Sequence, residues 1–411
     1  MADAHRREWA YVLAATVRVT RDLDTAEEAV QEAYVRALRT WPRDGVPDRP
    51  GAWLTTVARR IALNMARDAQ TLRTKLPLLL EPEAVEMPEI DDIVDDRLRL
   101  VFICCHPALA TEARVALTLR LVCGVATPDI ARAFLLPEAT MAARLTRAKK
   151  KIAAARIPYV VPSPADLPER LDAVLTVIEL LHAVGHTAYS GERLVRDELT
   201  DRALDLARLL RDLLPREREV AGLLALLLIH RARRTTRTDA EGRLLTLAEQ
   251  DRARWDRGLI AEADRLIVAA LRAGPPGRFT LQAAIAGVHA QAESYAETDW
   301  AQILTLYDEL VRVWPSPVVA LNRAVAVSMV DGPATALAEI EELERDGRLA
   351  AYHYLPATKA DLLRRLGRDA EAADAYRTAL ALTANAAEQA FLAGRIGSSR
   401  PDPGGDARID Y

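Results

Sequence analysis

The sequence predicts an all-α protein, both from its composition and from the spacing of its hydrophobic residues. Half of the 411 residues are hydrophobic but only 5% are aromatic, and Ala, Leu and Arg dominate, a balance that favours packed helices. Apolar residues recur every three or four positions, as in the stripe from Ala26 through Leu38 to Trp41, which is the spacing of one helix face. A chain of this length is expected to form two or three domains.

Three helices are predicted within residues 1–75. Asp24 is a candidate N-cap of the second helix, with Glu27 as its capping-box partner. The stretch Pro42 to Pro50 contains Gly45 and several prolines and predicts a loop. The third helix runs from Gly51 to about residue 69, and its outer face combines arginines with polar residues: Thr56, Arg59, Arg60, Asn64 and Arg67. That face is a candidate nucleic-acid surface, although a solvated basic face is the alternative interpretation.

A helix-turn-helix is predicted at residues 125–151. Thr127 followed by Pro128 is a helix start, and Pro137 opens a second helix after a two-residue turn. Two stripes follow that second helix at spacings of four, three and four residues: Met141, Leu145, Ala148 and Ile152 form an apolar stripe, and Thr140, Arg144, Arg147 and Lys151 form a mainly polar one. One face can therefore pack while its neighbour enters a major groove.

The charge of this second helix favours DNA as its ligand. From Pro137 to Arg156, six basic residues stand against Glu138 alone, which gives +5. Arginines facing base edges can read guanine in bidentate fashion, whereas the Lys149–Lys151 run suits phosphate contact. A merely basic surface helix is the alternative, since the chain as a whole has a net charge of -4.

Two segments predict connections between domains, and a third region predicts repeats. Residues 81–96 hold eight acidic residues and no basic one, so 76–96 is expected to be a flexible acidic linker. The four prolines of 158–168 predict a second linker. Beyond it, similar helical patterns recur around Tyr307, Ile340 and Tyr376, at offsets of 33 and 36 residues, close to the period of about 34 of a tetratricopeptide repeat.

Several function classes are disfavoured. The three cysteines form no CxxC motif, and they indicate a reduced cytoplasm. The N-terminal residues contain no apolar signal core, and the longest apolar run, Val220–Ile229, is half the length that a membrane span needs. His182 and His186 have a spacing that can hold a metal, but no acidic residue lies between them. With neither a phosphate loop nor a catalytic triad, we expect no enzyme activity, no metal and no cofactor.

The order of these parts resembles a bacterial RNA polymerase sigma factor of the extracytoplasmic-function group (group IV). The residues that carry the resemblance are DTAEEAVQEAYVRAL, AWLTTVARRIALNMAR, the acidic linker and the helix-turn-helix. The stretches TDWAQILTLYDELVRVWPSPVVALNRAVAV and ADLLRRLGRDAEAADAYRTALALTAN extend it to the subgroup with a long C-terminal tetratricopeptide-repeat extension. The resemblance then covers residues 5–396.

The resemblance implies a domain plan. A sigma-2 helical domain would occupy residues 1–75, and the acidic linker 76–96 would thread the polymerase RNA exit channel. A sigma-4 helix-turn-helix domain would occupy 97–157. After the linker 158–168, a helical TPR-like solenoid would fill 169–396, and 397–411 would be a disordered tail.

The same resemblance implies partners and site residues. The second helix would dock on the β′ clamp helices of core RNA polymerase through Asp24, Glu27, Glu28, Gln31 and Glu32. The promoter -10 element would be lined by Trp53, Arg59, Arg60, Asn64 and Arg67, and the loop 43–50 would pocket a flipped base. The -35 element would be read by Glu138, Thr140, Met141, Arg144, Arg147, Lys149, Lys150 and Lys151, with this domain resting on the β flap.

The extension would regulate the activity in place of a separate anti-sigma factor, by binding an unknown protein or peptide partner. Repeat solenoids commonly bind partners on a concave face.

Three departures from the family pattern are visible: Asn64-Met65 stands where Asp-Arg is usual, Leu135 where glycine is common in the turn, and 183–186 where an Asn-Glu-Gly-Tyr type sequence is usual.

One alternative remains at this point. A polymerase-independent helix-turn-helix regulator with a repeat-based sensor would share the DNA-binding helix and the extension. It would have no need of the acidic face of the second helix or of the acidic linker. The N-terminal helices are therefore the part of the chain that discriminates between the two hypotheses.

Overall fold

A computed structural model of the chain describes residues 2–75, 96–134, 136–186, 197–239, 244–383 and 385–397. These residues form helices and connecting turns. Within those ranges there is no strand, and an isolated antiparallel β-bridge joins Thr238 to Leu244. The all-α fold class is confirmed. The disordered tail expected at 397–411, like most of the acidic linker, lies outside the described residues.

The described residues contain the following α-helices. In order they are α1 (Ala2–Thr20), α2 (Leu23–Asp44), α3 (Pro50–Lys75), α4 (Asp96–Cys104), α5 (Thr111–Leu117), α6 (Thr127–Ala133), α7 (Glu138–Ala154), α8 (Leu167–His186), α9 (Asp197–Leu213), α10 (Arg218–Arg233), α11 (Arg257–Arg272), α12 (Arg278–Gln291), α13 (Trp300–Val313), α14 (Pro317–Val330), α15 (Pro333–Asp346), α16 (Tyr354–Arg365), α17 (Asp369–Leu382) and α18 (Ala386–Gly397). A π-helical segment, Thr118–Val122, continues α5, and 3-10 turns occur at Arg234–Thr236 and Arg252–Arg254.

The described residues fall into two compact units, which divide between Leu180 and Leu181. This division lies inside α8 and not in the proline-rich segment 158–168. The start of α8 belongs to the first unit, because Arg170 donates a hydrogen bond to the carbonyl of Phe102 at 2.8 Å and its guanidinium lies 5.9 Å from the Phe102 ring centroid.

In the first unit, α1, α2 and α3 pack together around small and apolar side chains. The predicted stripe of α2 is buried from Ala26 to Ala37 and again at Trp41, but Leu38 is 55% exposed. Helix α2 also continues through Pro42 to Asp44, so the connection to α3 is shorter than the predicted loop. Its last turn is held because the N–H of Gly45, at a φ of 81°, donates to the carbonyl of Trp41.

The helix-turn-helix expected from the sequence is present as α6 and α7. Helix α6 includes Thr127 as its first residue, since Ile130 N–H donates to the carbonyl of Ala126. The N-cap is therefore Ala126, one residue before the expected Thr127. Pro137 precedes α7 as expected, and its fixed φ suits a helix start.

In the second unit, consecutive helices pack against one another. The longest apolar run of the chain, Val220–Ile229, is buried in α10, which packs against α9, α11 and α12. At Gly222 a Cβ would lie 2.5 Å from the backbone nitrogen of Thr280, so glycine permits the close approach of α10 to α12. No helix in the described ranges is long and apolar enough to cross a membrane.

From α13 onward the hairpins share a local pattern. Helix pairs α14–α15 and α16–α17 are each joined at a glycine with positive φ, 91° at Gly332 and 74° at Gly367. Ile340 and Tyr376, which occupy matching positions in the sequence pattern, are both buried. Apolar side chains of α14, α15, α16 and α17 share one core cluster, so each helix buries its apolar face against its neighbours in the chain.

Candidate nucleic-acid interface

Helix α7 separates its apolar and cationic side chains as its sequence predicts. Met141, Leu145, Ala148 and Ile152 are all buried, and Ile130 of α6 is fully buried as well. On the rest of the surface Glu138, Thr140, Arg147, Lys150 and Lys151 are exposed, and Arg144 is half-buried. Among the described residues, neither Lys150 nor Lys151 forms an ion pair. This face of α7 offers cations to an anionic ligand.

Two residues of the expected -35 set occupy a different environment. Met141 is 0% exposed, so its placement among DNA contacts is corrected: the side chain fills the core beneath α7. Lys149 is only 12% exposed, and its Nζ lies 2.5 Å from Oδ1 of Asp24 and 2.9 Å from Oε2 of Glu27. In this arrangement the Lys149 ammonium neutralises protein carboxylates and not phosphate.

A second cationic surface lies on α3. Arg60, Asn64 and Arg67 are exposed, and Arg59 and Trp53 are half-buried. The Trp53 ring meets the buried Trp41 ring edge to face, with centroids 5.5 Å apart, which fixes the indole beside the α2–α3 connection. The expected -10 residues are therefore on one helix, and Trp53 is the one that lies next to the connection 45–49.

The N-terminus of α2 differs from the expected capping box. Asp22 is the N-cap, and its carboxylate accepts a hydrogen bond from the N–H of Thr25 at 2.7 Å. Asp24 and Glu27 are thus not a capping pair. The cap lies two residues earlier, which leaves both carboxylates available for other partners.

The outer face of α2 combines charge with exposed apolar surface. Glu28 and Gln31 are exposed, and they share a stripe at three- and four-residue spacing with Val35 and Leu38, which are 37% and 55% exposed. Glu32, beside this stripe, pairs with Arg36 at 3.1 Å. Exposed apolar residues bordered by charge are typical of a protein-binding face.

Glu27 faces inward and joins α2 to the second half of the first unit. Its Oε1 lies 2.5 Å from Nε of Arg120, in the π-helical segment, and its Oε2 lies 2.9 Å from Nζ of Lys149. Burial alone would lower the pKa of Lys149, but hydrogen bonds and attraction from Asp24 and Glu27 outweigh it and raise that pKa. The ammonium is therefore held in its charged form.

Arg120 is a site residue that sequence reasoning missed. It lies 93 positions from Glu27 in the chain, and no local spacing links the two. Its guanidinium also donates to the carbonyl of Val125 at 3.2 Å. The π-helical segment was not predicted either, and it carries Arg120 together with Thr118, which is hydrogen-bonded to the thiol of Cys105 at 3.4 Å.

The cysteines and histidines do not form a reactive or metal-binding centre in the described part of the chain. Cys104, Cys105 and Cys123 are buried, and burial raises the pKa of the Cys104 thiol well above its ordinary value and that of Cys105 to about 11. Those two thiols are therefore protonated and unreactive near neutral pH. No group of three metal-ligating side chains occurs among the described residues.

Three family models match the chain. Sigma-70 region 2 matches residues 4–71, Sigma-70 region 4 matches residues 99–152, and a family of unknown function, DUF6596, matches residues 170–271. The first covers α1–α3 and the second covers the helix-turn-helix. The third begins in α8 and ends in α11.

Two relatives differ in how much of the chain they cover. A protein of Rhizobium meliloti (strain 1021) described as uncharacterized is 45% identical over 388 residues, which are 92% of this chain and 91% of that protein. The probable ECF RNA polymerase sigma factor SigI of Mycobacterium tuberculosis is 29% identical over 163 residues. Those are 38% of this chain and 56% of SigI, so the chain spans about half the length of that relative.

A region 2 bundle followed by a region 4 helix-turn-helix defines a sigma factor. The protein is an RNA polymerase sigma factor, a DNA-binding factor of transcription initiation and not an enzyme, and its partners are core RNA polymerase and promoter DNA. More particularly, the chain belongs to the same family as the Rhizobium meliloti protein, with which it shares nearly its whole length. The region 2 match disfavours the polymerase-independent regulator.

Proposed function

We propose that this sigma factor is of the extracytoplasmic-function group, acts in the bacterial cytoplasm, and is regulated by its own C-terminal extension of TPR-like hairpins. The observation that carries the proposal is the order of domains along the chain. Regions 2 and 4 come first, and they are followed by a helical unit that is longer than both together. The partial likeness to SigI supports the group.

The exposed stripe of α2 is the proposed docking face for the polymerase clamp helices. Glu28 and Gln31 supply polar contacts, and Val35 and Leu38 supply apolar area. Asp24, Glu27 and Glu32 border the stripe. Burying exposed apolar side chains at the centre of a polar rim is the usual anatomy of a protein interface.

The two cationic surfaces are the proposed promoter contacts. On α3, the residues Trp53, Arg59, Arg60, Asn64 and Arg67 face the -10 element, and the connection 45–49 holds a base flipped from the stack. Flipping costs a few kcal/mol, which stacking and edge contacts have to offset. On α7, Arg144 and Arg147 read bases of the -35 element, while Lys150 and Lys151 contact phosphates. Glu138 and Thr140, exposed in the first turn of α7, border the groove.

The extension is the proposed regulatory platform. Its hairpins α13–α18 pack face to face in chain order, as TPR-like repeats do. A stack of this kind binds a protein or peptide partner on its concave face, and that partner sets the activity of the two promoter-binding regions.

The test is transcription in vitro with purified core polymerase on genomic DNA, with start sites mapped by sequencing. The expected result is a set of discrete starts that share -10 and -35 elements at one spacing. The comparison protein ends at Leu180, at the edge of the first compact unit. DNA binding without any discrete start, in both proteins, would overturn the promoter assignment, and equal activity of both proteins under all conditions would overturn regulation by the extension.

A further inference from the structure

Four charged side chains form one network between region 2 and region 4. Lys149 of α7 lies between Asp24 and Glu27 of α2, at 2.5 and 2.9 Å, and Arg120 lies 2.5 Å from the other oxygen of Glu27. We call Asp24, Glu27, Arg120 and Lys149 the Glu27 clasp. Gln31 adds a hydrogen bond to Oε1 of Glu27 at 3.2 Å.

Three of the four clasp side chains are shielded from water, unlike an ordinary surface ion pair, and Asp24, which is 61% exposed, lies at the outer edge of the network. The side chains of Glu27, Lys149 and Arg120 are 8%, 12% and 17% exposed. Exposed pairs contribute little to stability, but removing one partner of a buried pair leaves an uncompensated charge. Loss of Lys149 or Arg120 therefore disfavours the closed contact itself.

Further hydrogen bonds link the same parts of the first unit. The indole N–H of Trp9 in α1 donates to the carbonyl of Leu121 in the π-helical segment at 3.0 Å. The hydroxyl of Tyr159 lies 3.1 Å from the carbonyl of Ala14 in α1 and 3.0 Å from that of Asp96 in α4. Region 4 is thus packed on region 2 through α1 as well as through α2.

This closed contact is incompatible with reading a promoter. The -35 and -10 elements are centred about 25 base pairs apart, about 85 Å at 3.4 Å per base pair. Side chains of α2 and α7 that pair within 3 Å cannot remain paired while α7 contacts the -35 element and α3 contacts the -10 element. The 20 residues 76–95 between the two regions can extend to about 70 Å, which allows the regions to separate.

We propose that the Glu27 clasp is an autoinhibitory contact, which holds regions 2 and 4 together and withholds Asp24, Glu27 and Lys149 from polymerase and DNA. This inference rests on the proposed docking role of α2. Core polymerase captures the open form only, so its apparent affinity is reduced by the fraction of molecules that are open. Any change that weakens the clasp without touching the exposed docking stripe raises that affinity.

The first experiment tests the contact without polymerase. A zero-length carbodiimide couples an amine to a carboxylate only when the two touch, with the loss of one water. Treatment of the full-length protein is expected to link Lys149 to Asp24 or Glu27, as mapped by mass spectrometry. Lys150, exposed on the same helix, is the matched control and is expected to form no link to α2. Absence of the Lys149 link would overturn the proposal.

The second experiment measures binding to core polymerase in the absence of DNA. Lys149→Gln is expected to tighten binding about three- to tenfold, because the closed form loses its central cation. Arg272→Gln removes one positive charge from an exposed position of α11, outside every proposed contact surface, and is expected to leave core binding unchanged. Arg120→Gln provides an independent variant at the other oxygen of Glu27, with the same expected direction. Unchanged or weaker binding by both clasp variants would overturn autoinhibition.

Failure of the clasp proposal and failure of the proposed function give different results in these experiments. If the Lys149 link forms but neither the wild type nor any variant binds core polymerase, the docking role of α2 is wrong while the closed contact stands. If the wild type binds polymerase and initiates transcription but no link forms, the proposed function stands and the clasp is wrong. Purified protein carrying the link is expected to lose core binding, and retention of full binding would overturn the proposal.

Discussion

Arg144 and Lys150 lie on the same helix but are constrained to different degrees. Arg144 is half-buried beside the apolar stripe of α7, whereas Lys150 is exposed. A guanidinium with restricted motion suits bidentate contact with a base, and a flexible ammonium suits phosphate. The two side chains therefore separate sequence reading from charge neutralisation.

Arg144→Ala is expected to weaken binding to the -35 element by about 1–3 kcal/mol and to relax the preference at one base pair. Lys150→Ala is expected to weaken cognate and scrambled DNA alike and to reduce the salt slope by about one ion. Fluorescence anisotropy over a salt series measures both effects. An Arg144 variant that weakens scrambled DNA as strongly as cognate DNA would refute base reading by that residue.

His182 sets a pH limit on the second unit. Its imidazole is stacked on that of His230, with centroids 5.0 Å apart, and burial together with the positive charge of Arg237 lowers its pKa from 6.5 to about 3. The folded state therefore binds a proton more weakly than the unfolded state. The stability contributed by neutral His182 is complete above pH 6.5 and is lost as the pH falls from 6.5 towards 3.

Urea unfolding of the wild type is expected to lose up to about 1.4 kcal/mol per pH unit over that window from this one group. His182→Phe keeps a flat ring against His230 but cannot be protonated, so its unfolding free energy should fall less steeply with decreasing pH. Circular dichroism at pH 7, 6 and 5 provides the comparison. Identical slopes for the two proteins would show that His182 does not control this dependence.

At the scale of the element, α2 presents two faces with opposite roles. The inner face is buried against α1 and α3, and the outer stripe of Glu28, Gln31, Val35 and Leu38 is open. Leu38→Asp should not disturb the core, because the side chain is 55% exposed, yet it places a charge in the apolar half of the proposed docking face. A charge that becomes buried and unpaired in an interface is costly.

Leu38→Asp is accordingly expected to weaken binding to core polymerase by at least tenfold, and Glu28→Lys to abolish transcription without unfolding the protein. Val160→Asp, at an exposed apolar position that is not part of α2, is the control and should leave binding unchanged. Helical content by circular dichroism confirms folding. Normal polymerase binding by both α2 variants would remove this stripe from the interface.

Helices were predictable because their signals are local. The apolar spacing of α2 and α7 and the prolines at the starts of α3, α14 and α15 are contained within a few residues of sequence. The two-residue shift at the start of α2 arose because two polar residues, Asp22 and Asp24, compete for the cap. The prediction that Leu38 is buried was wrong, because apolar spacing does not show where the buried face of a helix ends.

The contacts of Glu27 could not be predicted from local spacing. Its partners Arg120 and Lys149 are 93 and 122 residues away, and they meet it only because region 4 packs on region 2. Read by itself, Lys149 belongs to a run of three lysines that suggests phosphate binding, and Glu27 to an acidic helix face. Tertiary packing pairs Lys149 with Asp24 and Glu27 and leaves Lys150, Lys151 and Glu28 exposed.

At the scale of the whole molecule, the boundary between the two compact units matters for any shortened protein. A chain that ends at Pro162 would lose Arg170, which is hydrogen-bonded to the carbonyl of Phe102 and lies near its ring. A chain that ends at Leu180 keeps these contacts and the whole first unit. The proline-rich segment marks a change in local structure, but packing continues beyond it.

The second unit should respond differently to shortening, because each hairpin buries its apolar face against the next. Ending the chain at Leu366 removes Tyr376, Ala379 and Leu392, which with Ala360 of α16 form the last core cluster, and it leaves Ala360 without those partners. In a stack of neighbouring hairpins, loss of a terminal hairpin destabilises the one that remains.

We therefore expect the chain 1–366 to show a lower unfolding temperature for its extension than the full-length protein, while the chain 1–180 unfolds in one cooperative step. Differential scanning calorimetry separates these transitions. An unchanged extension transition in 1–366 would show that α17 and α18 are a dispensable cap, and a non-cooperative 1–180 would show that the first unit depends on the second.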